Sequence, residues 1–177
     1  MRGYFAIGAE GISKHMNLGN LIRSAYAFEA SFVFTINAHP KAFRRNSDSS
    51  KAMTHLPVYN WASVDTMQLP NSCKLVGVEF IDEAIDLPSF HHPLNAAYVL
   101  GPEKGILSDE LLEKCDQIVK IPTRFCINVG VAGSIIMYDR IKSLGRFAPK
   151  PISEVAKVQK LDNHVHGTHH NYSTRKD

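Results

Sequence analysis

The sequence lacks the features that mark several large classes of protein. It contains only three cysteines, Cys73, Cys115 and Cys126, which lie far apart and form no CxxC pair. This odd number and wide spacing argue against a disulfide framework or a zinc site and are typical of reduced thiols. No apolar run approaches the roughly 18 residues that a membrane-spanning helix needs, and Glu10 interrupts the N-terminal segment before a signal-peptide core could form. We therefore expect a cytoplasmic protein with no membrane partner.

Widespread nucleotide-binding and catalytic motifs are also missing. There is no GxGxxG after an apolar segment, no GxxxxGK[ST] and no GxSxG, so no Rossmann dinucleotide site, P-loop or hydrolase nucleophile elbow is indicated. Cys126 has no candidate base beside it, which argues against a thiol nucleophile. The histidines near the C-terminus lack the helical context of a built metal site, and we expect no metal there: His164, His166, His169 and His170.

The composition is that of a globular domain whose charge is unevenly distributed. The chain has 177 residues, of which 44% are hydrophobic and 21% charged, and a net charge of +3. This length suits one domain with a substantial core. Residues 1–139 carry 12 Lys and Arg against 14 Asp and Glu, whereas residues 140–177 carry 8 against 3. The basic C-terminal excess fits either a polyanionic partner or a tail kept soluble by its charge.

Apolar segments of strand and helix type alternate along the chain. Residues 4–7, 32–36, 75–78, 97–100 and 118–121 are short apolar runs, as in strands buried on both faces. Helical spacing follows Asn17 up to Phe28, and helices are also predicted at 108–114, with Ser108 as the cap, and at 129–144, with Gly145 at the C-terminus. This alternation predicts an α/β fold with a mostly parallel sheet and flanking helices.

Two segments fall outside this alternation. Residues 38–55 are polar and turn-rich, which in a compact domain indicates a functional or disordered loop. Residues 151–177 are basic and histidine-rich, with little periodicity, and are predicted to be a disordered tail. The expected organisation is therefore one domain over residues 1–150 followed by this tail.

Three motifs in a fixed order give the strongest functional signal. They are NLGNLIRSAYAF at 17–28, LGPEKGILS at 100–108 and KIPTRFCINVGVA at 120–132. In order and spacing they resemble the three motifs of the SpoU (TrmH-like) branch of the SPOUT RNA methyltransferases. The resemblance extends from residue 4 to about residue 147, and the chain looks like a minimal, single-domain member.

The resemblance implies a fold, a reaction and a set of cofactor contacts. The fold is α/β with a trefoil knot in its C-terminal region, members are typically homodimers with the third-motif helix at the interface, and the reaction is methyl transfer from S-adenosyl-L-methionine to a ribose 2′-hydroxyl of RNA. The family binds this cofactor largely through backbone groups. The corresponding positions here are Val78, Leu100, Gly101, Ile121, Cys126 and Ile127.

Four further positions match the family's active-site residues, and each also has a structural interpretation. Arg23 is the key side chain of the first motif; a guanidinium keeps its proton, so we favour a role in holding a phosphate and stabilising the developing alkoxide, with the proton leaving to phosphate or water. Arg23 is alternatively a surface ion-pair residue, and Asn17 a helix cap. Glu103 either orients the second-motif loop or faces Arg23 or the substrate. Asn128 is both a helix cap and a motif match.

The third motif departs from the family pattern. The family's Ser-Leu-Asn is Cys126-Ile127-Asn128 here, and Thr123 replaces a methionine. Because a thiol is a weaker hydrogen-bonding group than a hydroxyl, any role of that serine does not transfer directly to Cys126. Arg124 stands where many relatives are uncharged, and it is either an additional phosphate contact or a local choice.

The RNA is expected to bind to the surface of the catalytic domain itself. The candidate phosphate contacts are Lys41, Arg44, Arg45 and Arg124, together with Arg2, Lys14 and the basic C-terminal segment. Small members of the family often modify tRNA, which favours tRNA over ribosomal RNA. Two alternatives stay open: a ribosomal RNA methyltransferase, and a non-catalytic RNA-binding or assembly factor on the same fold.

Overall fold

The computed structural model describes residues 3–43, 52–145, 147, 148 and 150. Within these residues lie a parallel sheet of seven strands and three α-helices. The strands are β1 (Tyr4–Glu10), β2 (Phe32–Ile36), β3 (Val58–Trp61), β4 (Lys74–Val78), β5 (Ile85–Asp86), β6 (Asn95–Leu100) and β7 (Gln117–Lys120). The helices are α1 (His15–Ala27), α2 (Asp109–Lys114) and α3 (Val129–Leu144).

The strand order brings the three motifs to one edge of the sheet. The order is β3-β2-β1-β6-β4-β7-β5, and every neighbouring pair is parallel. In a parallel sheet all the carboxyl ends lie at the same edge, which is where α/β proteins bind ligands. The predicted α/β class with a mostly parallel sheet is confirmed. The trefoil knot stays a prediction.

The central strands are buried because both faces of the sheet are covered. Every residue of β2 is buried, as are all but the first of β1 and of β6. Helices α1 and α3 cover one face and lie close together, because a Cβ at Gly133 of α3 would collide with Leu21 of α1. The other face carries a second apolar cluster that includes Leu111 of α2.

The structure corrects the predictions made for the end of β1, the start of α1 and the end of α3. Strand β1 continues past Gly8 to Glu10. Gly8 does not end the strand; residue 8 is glycine because a Cβ there would collide with Phe34 of β2. Helix α1 starts at His15, two residues before the predicted cap Asn17. Gly145 ends α3 with an extended backbone (φ −76°) rather than the left-handed one that a C-terminal glycine often adopts.

Part of the predicted loop at 38–55 forms secondary structure, and the predicted tail lies outside the described residues. Within 38–55, two 3₁₀ helices form, at Pro40–Phe43 and Ala52–Thr54, while 44–51 are not among the described residues. The predicted tail, 151–177, also lies outside the described residues. No helix in the described part of the chain is both long enough and apolar enough to span a bilayer.

A buried polar network closes the opposite edge of the sheet. The Arg140 guanidinium is fully buried and donates to the carbonyls of Tyr4, Pro93 and Leu94 and to the Tyr98 hydroxyl. Burial raises the pKa of Tyr98 to about 12, so its hydroxyl keeps its proton. One of the basic residues in the C-terminal excess is therefore in the core and cannot face a polyanion.

His92 continues this network to α3. Its Nδ1 lies 2.7 Å from the Tyr98 hydroxyl and its Nε2 lies 3.1 Å from Asp139 Oδ2. These partners assign the tautomer: the Tyr98 hydroxyl donates to Nδ1, and Nε2–H donates to Asp139. Burial lowers the pKa of His92 and outweighs the opposing effect of Asp139.

Candidate active site

A cleft of about 210 Å³ opens at the carboxyl edge of the sheet. Its walls come from the chain that follows β4, β6 and β7 and from the start of α3. All six residues predicted to hold a cofactor line it: Val78, Leu100, Gly101, Ile121, Cys126 and Ile127. Three of the four predicted catalytic residues, Asn17, Glu103 and Asn128, line the same cleft.

Two carboxylates hold the loop that leaves β6 from both sides. Strand β6 lies between β1 and β4, and a glutamate lies at the carboxyl end of each neighbour. Glu10, the last residue of β1, accepts hydrogen bonds from the Ser108 backbone N–H (2.8 Å) and hydroxyl (2.6 Å). Glu79, directly after β4, accepts one from the Leu107 N–H (2.8 Å). Two consecutive amides of the loop are thereby fixed to the two neighbouring strands.

Sequence reasoning missed both of these glutamates. Neither belongs to a motif, but a signal for them exists: each ends a buried strand of a parallel sheet beside a glycine- and proline-containing loop that needs acceptors. Glu79 also explains the glycine of the second motif, since a Cβ at Gly101 would lie only 2.8 Å from Glu79 Oε2. Gly101 is therefore needed for the Glu79 carboxylate to reach Leu107.

Glu103 connects the same loop to the start of α1. Its carboxylate accepts hydrogen bonds from the N–H groups of Ser13 (3.1 Å) and Lys14 (2.8 Å) and from Asn17 Nδ2 (3.1 Å). Partial burial alone would raise the pKa of Glu103, but these hydrogen bonds outweigh it and hold the pKa below its usual value. The predicted role in orienting the second-motif loop agrees with this geometry, in which Glu103 faces the start of α1.

Asn17 joins all three motifs through its side-chain amide. Its Nδ2 donates to Glu103, and its Oδ1 accepts from Asn128 Nδ2 at 3.0 Å. The structural interpretation of Asn17 as a cap is wrong, because Lys14 occupies the N-cap and Asn17 is buried inside the first turn. The prediction that Asn128 caps α3 is confirmed: its Oδ1 accepts from the N–H groups of Gly130 (2.9 Å) and Val131 (3.4 Å).

The loops that follow β4 and β7 are fixed by short polar contacts. Lys120 Nζ donates to the carbonyls of Ile81 and Asp82, each at 3.0 Å. The Thr123 hydroxyl donates to the Phe125 carbonyl at 2.9 Å, within the third motif. The threonine that replaces the family's methionine thus closes a turn next to the cleft.

Arg23 does not line the cleft. It is exposed on α1, about 9 Å along the helix from Asn17 and about 240° around its axis. Among the described residues no hydrogen bond or ion pair to Arg23 forms, so the surface ion-pair interpretation has no partner there either. The structure thus brings together Asn17, Glu103 and Asn128 and leaves Arg23 apart.

Among the predicted RNA contacts, Lys14 lines the cleft, whereas Lys41 and Arg124 do not. Lys41 is exposed in the first 3₁₀ helix, and Arg124 is exposed at the side of the cleft. Arg44 and Arg45 lie outside the described residues. No group of three or more metal-binding side chains occurs within the described part of the chain.

Comparisons with known proteins place these features in a family context. The model of the SpoU rRNA Methylase family matches residues 4–138. The chain is similar to an AdoMet-bound rRNA methyltransferase from Sinorhizobium meliloti, with 17% identity and a TM-score of 0.71 over 81% of this chain and 58% of that one. The chain therefore spans less than two thirds of that protein. Comparison with curated protein sequences gives no match.

Two further solved structures are similar over the same region. One has 18% identity and a TM-score of 0.68 over 81% of this chain and 92% of that one, and its description concerns the 2-OH methylation of C/U34 on tRNA. The other is described as an RNA 2′-O ribose methyltransferase and has 25% identity and a TM-score of 0.66, over 81% of this chain and 57% of that one.

Proposed function

Since the chain belongs to the SpoU rRNA Methylase family, whose model matches residues 4–138, we propose that it methylates a ribose 2′-hydroxyl of RNA with S-adenosylmethionine, the cofactor of this family. The observation that carries the proposal is the pair of hydrogen bonds made by the Asn17 side chain, which we call the Asn17 hub. One side chain hydrogen-bonds to Glu103 and Asn128, so that residues of all three motifs meet in one cleft.

The lining of the cleft fits the proposed cofactor. Val78, Leu100, Ile121 and Ile127 supply apolar surface for an adenine ring and an aliphatic chain. Gly101 has no side chain and lines the cleft beside them with backbone atoms alone. When bound, S-adenosylmethionine supplies a methyl group activated by its sulfonium. The residues that line the cleft would hold and orient this cofactor and exclude water from it.

The chain's polar residues are suited to alignment more than to proton abstraction. Glu103 is a poor general base, because its hydrogen bonds lower its pKa and occupy its oxygens. We propose that Asn17 and Asn128 orient the ribose beside the cleft and that the proton leaves to phosphate or water. Correct alignment of the attacking oxygen then provides most of the rate enhancement.

Arg23 requires a second copy of the chain to take part in this reaction. The helix pair α1 and α3, joined by a Ser24–Ser134 hydroxyl hydrogen bond of 3.0 Å, exposes a set of apolar side chains. Met16 is 64% exposed, Val131 52% and Tyr138 60%, and the last two lie on one face of α3. We propose a homodimer through this surface, in which Arg23 of one protomer holds a phosphate at the cleft of the other.

The proposed substrate is tRNA. The chain matches 92% of the length of a protein from a study titled as addressing methylation of tRNA, whereas it matches only 58% of the similar rRNA methyltransferase. Lys41, Arg44, Arg45 and Arg124 are the proposed phosphate contacts. We further propose that residues 1–150 form the methyltransferase domain, that 151–177 form a basic tail, and that the protein acts in the cytoplasm.

Methyl transfer by the purified protein tests this proposal. The protein is incubated with S-adenosylmethionine and RNA in two separate reactions, one with total tRNA and one with ribosomal RNA, both lacking modifications. The RNA is then digested, and its nucleosides are analysed by mass spectrometry. One 2′-O-methylnucleoside should appear in tRNA only. Its appearance in ribosomal RNA alone would support the alternative substrate. Absence of saturable S-adenosylmethionine binding by calorimetry would support the non-catalytic alternative.

A further inference from the structure

A second cavity adjoins the cleft beside β7 and the edge strand β5. Its volume is about 540 Å³, and it shares Phe80, Lys120 and Thr123 with the cleft. Its remaining lining residues are Ile81, Asp82, Asp86, Pro122 and Arg124. None of the six residues predicted to hold the cofactor is among the described residues that line it.

The side chains of this second cavity have distinct capacities for binding. Phe80 is 42% exposed at the border with the cleft. Arg124 is exposed and makes no hydrogen bond or ion pair with any other described residue. Lys120, in contrast, is engaged with the carbonyls of Ile81 and Asp82 and fixes the wall. The cavity therefore offers an aromatic ring and an uncommitted guanidinium.

We infer that the second cavity binds the nucleotide next to the methylated one, with its base against Phe80 and its phosphate at Arg124. This inference rests on the proposed function. Aromatic rings and guanidinium groups are the usual partners of unstacked bases and of phosphates in single-stranded RNA. A nucleotide that is adjacent in the RNA must lie beside the cofactor cleft, and this cavity shares a wall with it.

The two carboxylates of the cavity restrict how a nucleotide can be oriented in it. Asp82 and Asp86 are exposed and line it together with Arg124. Ionised carboxylates accept hydrogen bonds and repel phosphate, so the phosphate is confined to the Arg124 side and the base edge faces the carboxylates. Every RNA base carries an N–H donor on its edge that a carboxylate can accept from. The carboxylates therefore set the orientation of the bound nucleotide and not the identity of its base.

Steady-state kinetics of full-length variants test this inference. Phe80→Ala and Arg124→Ala should each raise the KM for the RNA by about fivefold or more, because stacking and phosphate contacts each contribute a factor of this order. The kcat and the calorimetric Kd for S-adenosylmethionine should stay within twofold of wild type. Phe80→Tyr, which keeps the ring, should behave as wild type. The controls are Phe147→Ala, an exposed ring elsewhere, and Lys74→Ala, a basic residue at the opposite edge of the sheet.

The possible results separate this inference from the proposed function. If Phe80→Ala weakens cofactor binding and leaves the KM for RNA unchanged, the ring serves the cofactor and the inference is wrong. If neither variant changes the KM while wild type is active, the inference fails and the proposed function stands. If wild type transfers no methyl group to any RNA, both fail. Because both side chains are exposed, a thermal unfolding midpoint close to that of wild type is expected and is checked for each variant.

Discussion

The side chains of Asn17 and Asn128, 111 residues apart, meet in a hydrogen bond of 3.0 Å. Asn17 Oδ1 accepts from Asn128 Nδ2, which leaves Asn17 Nδ2 to donate to Glu103. Because Asn128 Oδ1 also caps α3, both amides are held in one orientation. The start of α1, the loop after β6 and the start of α3 are thereby held together at the cleft.

Asn17→Asp should break this connection. The new carboxylate would face the Glu103 carboxylate in place of an N–H donor, so we expect a loss of about 1–3 kcal/mol in unfolding free energy, together with weaker cofactor binding. Chemical denaturation and calorimetry measure the two effects. Asn20→Asp, an exposed position on the same helix, is the matched control and should change stability by less than about 0.5 kcal/mol. Equal effects of the two substitutions would argue against the hub.

Glu79→Gln should loosen the loop that lines the cleft. A glutamine has one acceptor oxygen, so it cannot accept from both the Phe80 and the Leu107 N–H groups, as Glu79 does at 2.8 Å each. We expect the Kd for S-adenosylmethionine to rise by about fivefold to tenfold, or about 1–1.4 kcal/mol. Glu83→Gln, an exposed glutamate in the next turn, is the control. An unchanged Kd for Glu79→Gln would show that this anchor does not position the cofactor loop.

The pH dependence of stability should report Glu103. Its folded-state pKa lies below the unfolded value of about 4.3, so its contribution is present above that pH and is lost as the pH falls through the folded pKa. Urea unfolding between pH 3 and 6 should therefore show a steeper acid-side loss for wild type than for Glu103→Gln. Parallel profiles would contradict the assignment of this carboxylate as an anchored anion.

His92 should produce a second pH dependence, nearer neutrality. Its pKa is lowered in the fold, so the unfolded chain binds the proton more tightly. Stability is then fully present above about pH 6.5 and decreases as the pH falls below it. His92→Gln keeps an acceptor for Tyr98 and a donor for Asp139 but does not titrate. Between pH 5 and 7 its unfolding free energy should change less than that of wild type; an equal change would rule out His92 as the titrating group.

Mixing two inactive variants tests whether Arg23 acts on the cleft of the partner. Arg23→Ala and Asn128→Ala homodimers should each be nearly inactive. After co-refolding, half of the dimers are mixed, and each of these has one cleft in which both residues are intact, so about a quarter of wild-type activity should return. If Arg23 acted within its own protomer, no mixed cleft would be complete and activity would not return.

How much the sequence predicts depends on how local each interaction is. Strands β2 and β6 were predicted from continuous apolar runs, because burial on both faces leaves no polar position in them. Strand β3 was missed because Asn60 and the exposed Tyr59 break such a run at the edge of the sheet, and β5 has only two residues, too few for any pattern.

The candidate site shows the same limit. All six residues predicted to hold a cofactor line the cleft; five of them lie in a motif, whereas Val78 is the last residue of β4. The alternative interpretation of Asn17 as a helix cap came from the local sequence and was wrong, because the partner that accepts from its amide, Glu103, is 86 residues away. Sequence reasoning missed Glu10 and Glu79, whose roles depend on the strand order and not on neighbouring residues. Contacts set by topology leave little trace in a single sequence.

The central claim is ribose methylation of tRNA, and nucleoside mass spectrometry of cells lacking the gene tests it most directly. One 2′-O-methylated nucleoside should disappear from tRNA, return with the wild-type gene and not return with Arg23→Ala. If every 2′-O-methylated nucleoside in both tRNA and ribosomal RNA stays at its wild-type level, the chain is not an RNA 2′-O-methyltransferase in that cell.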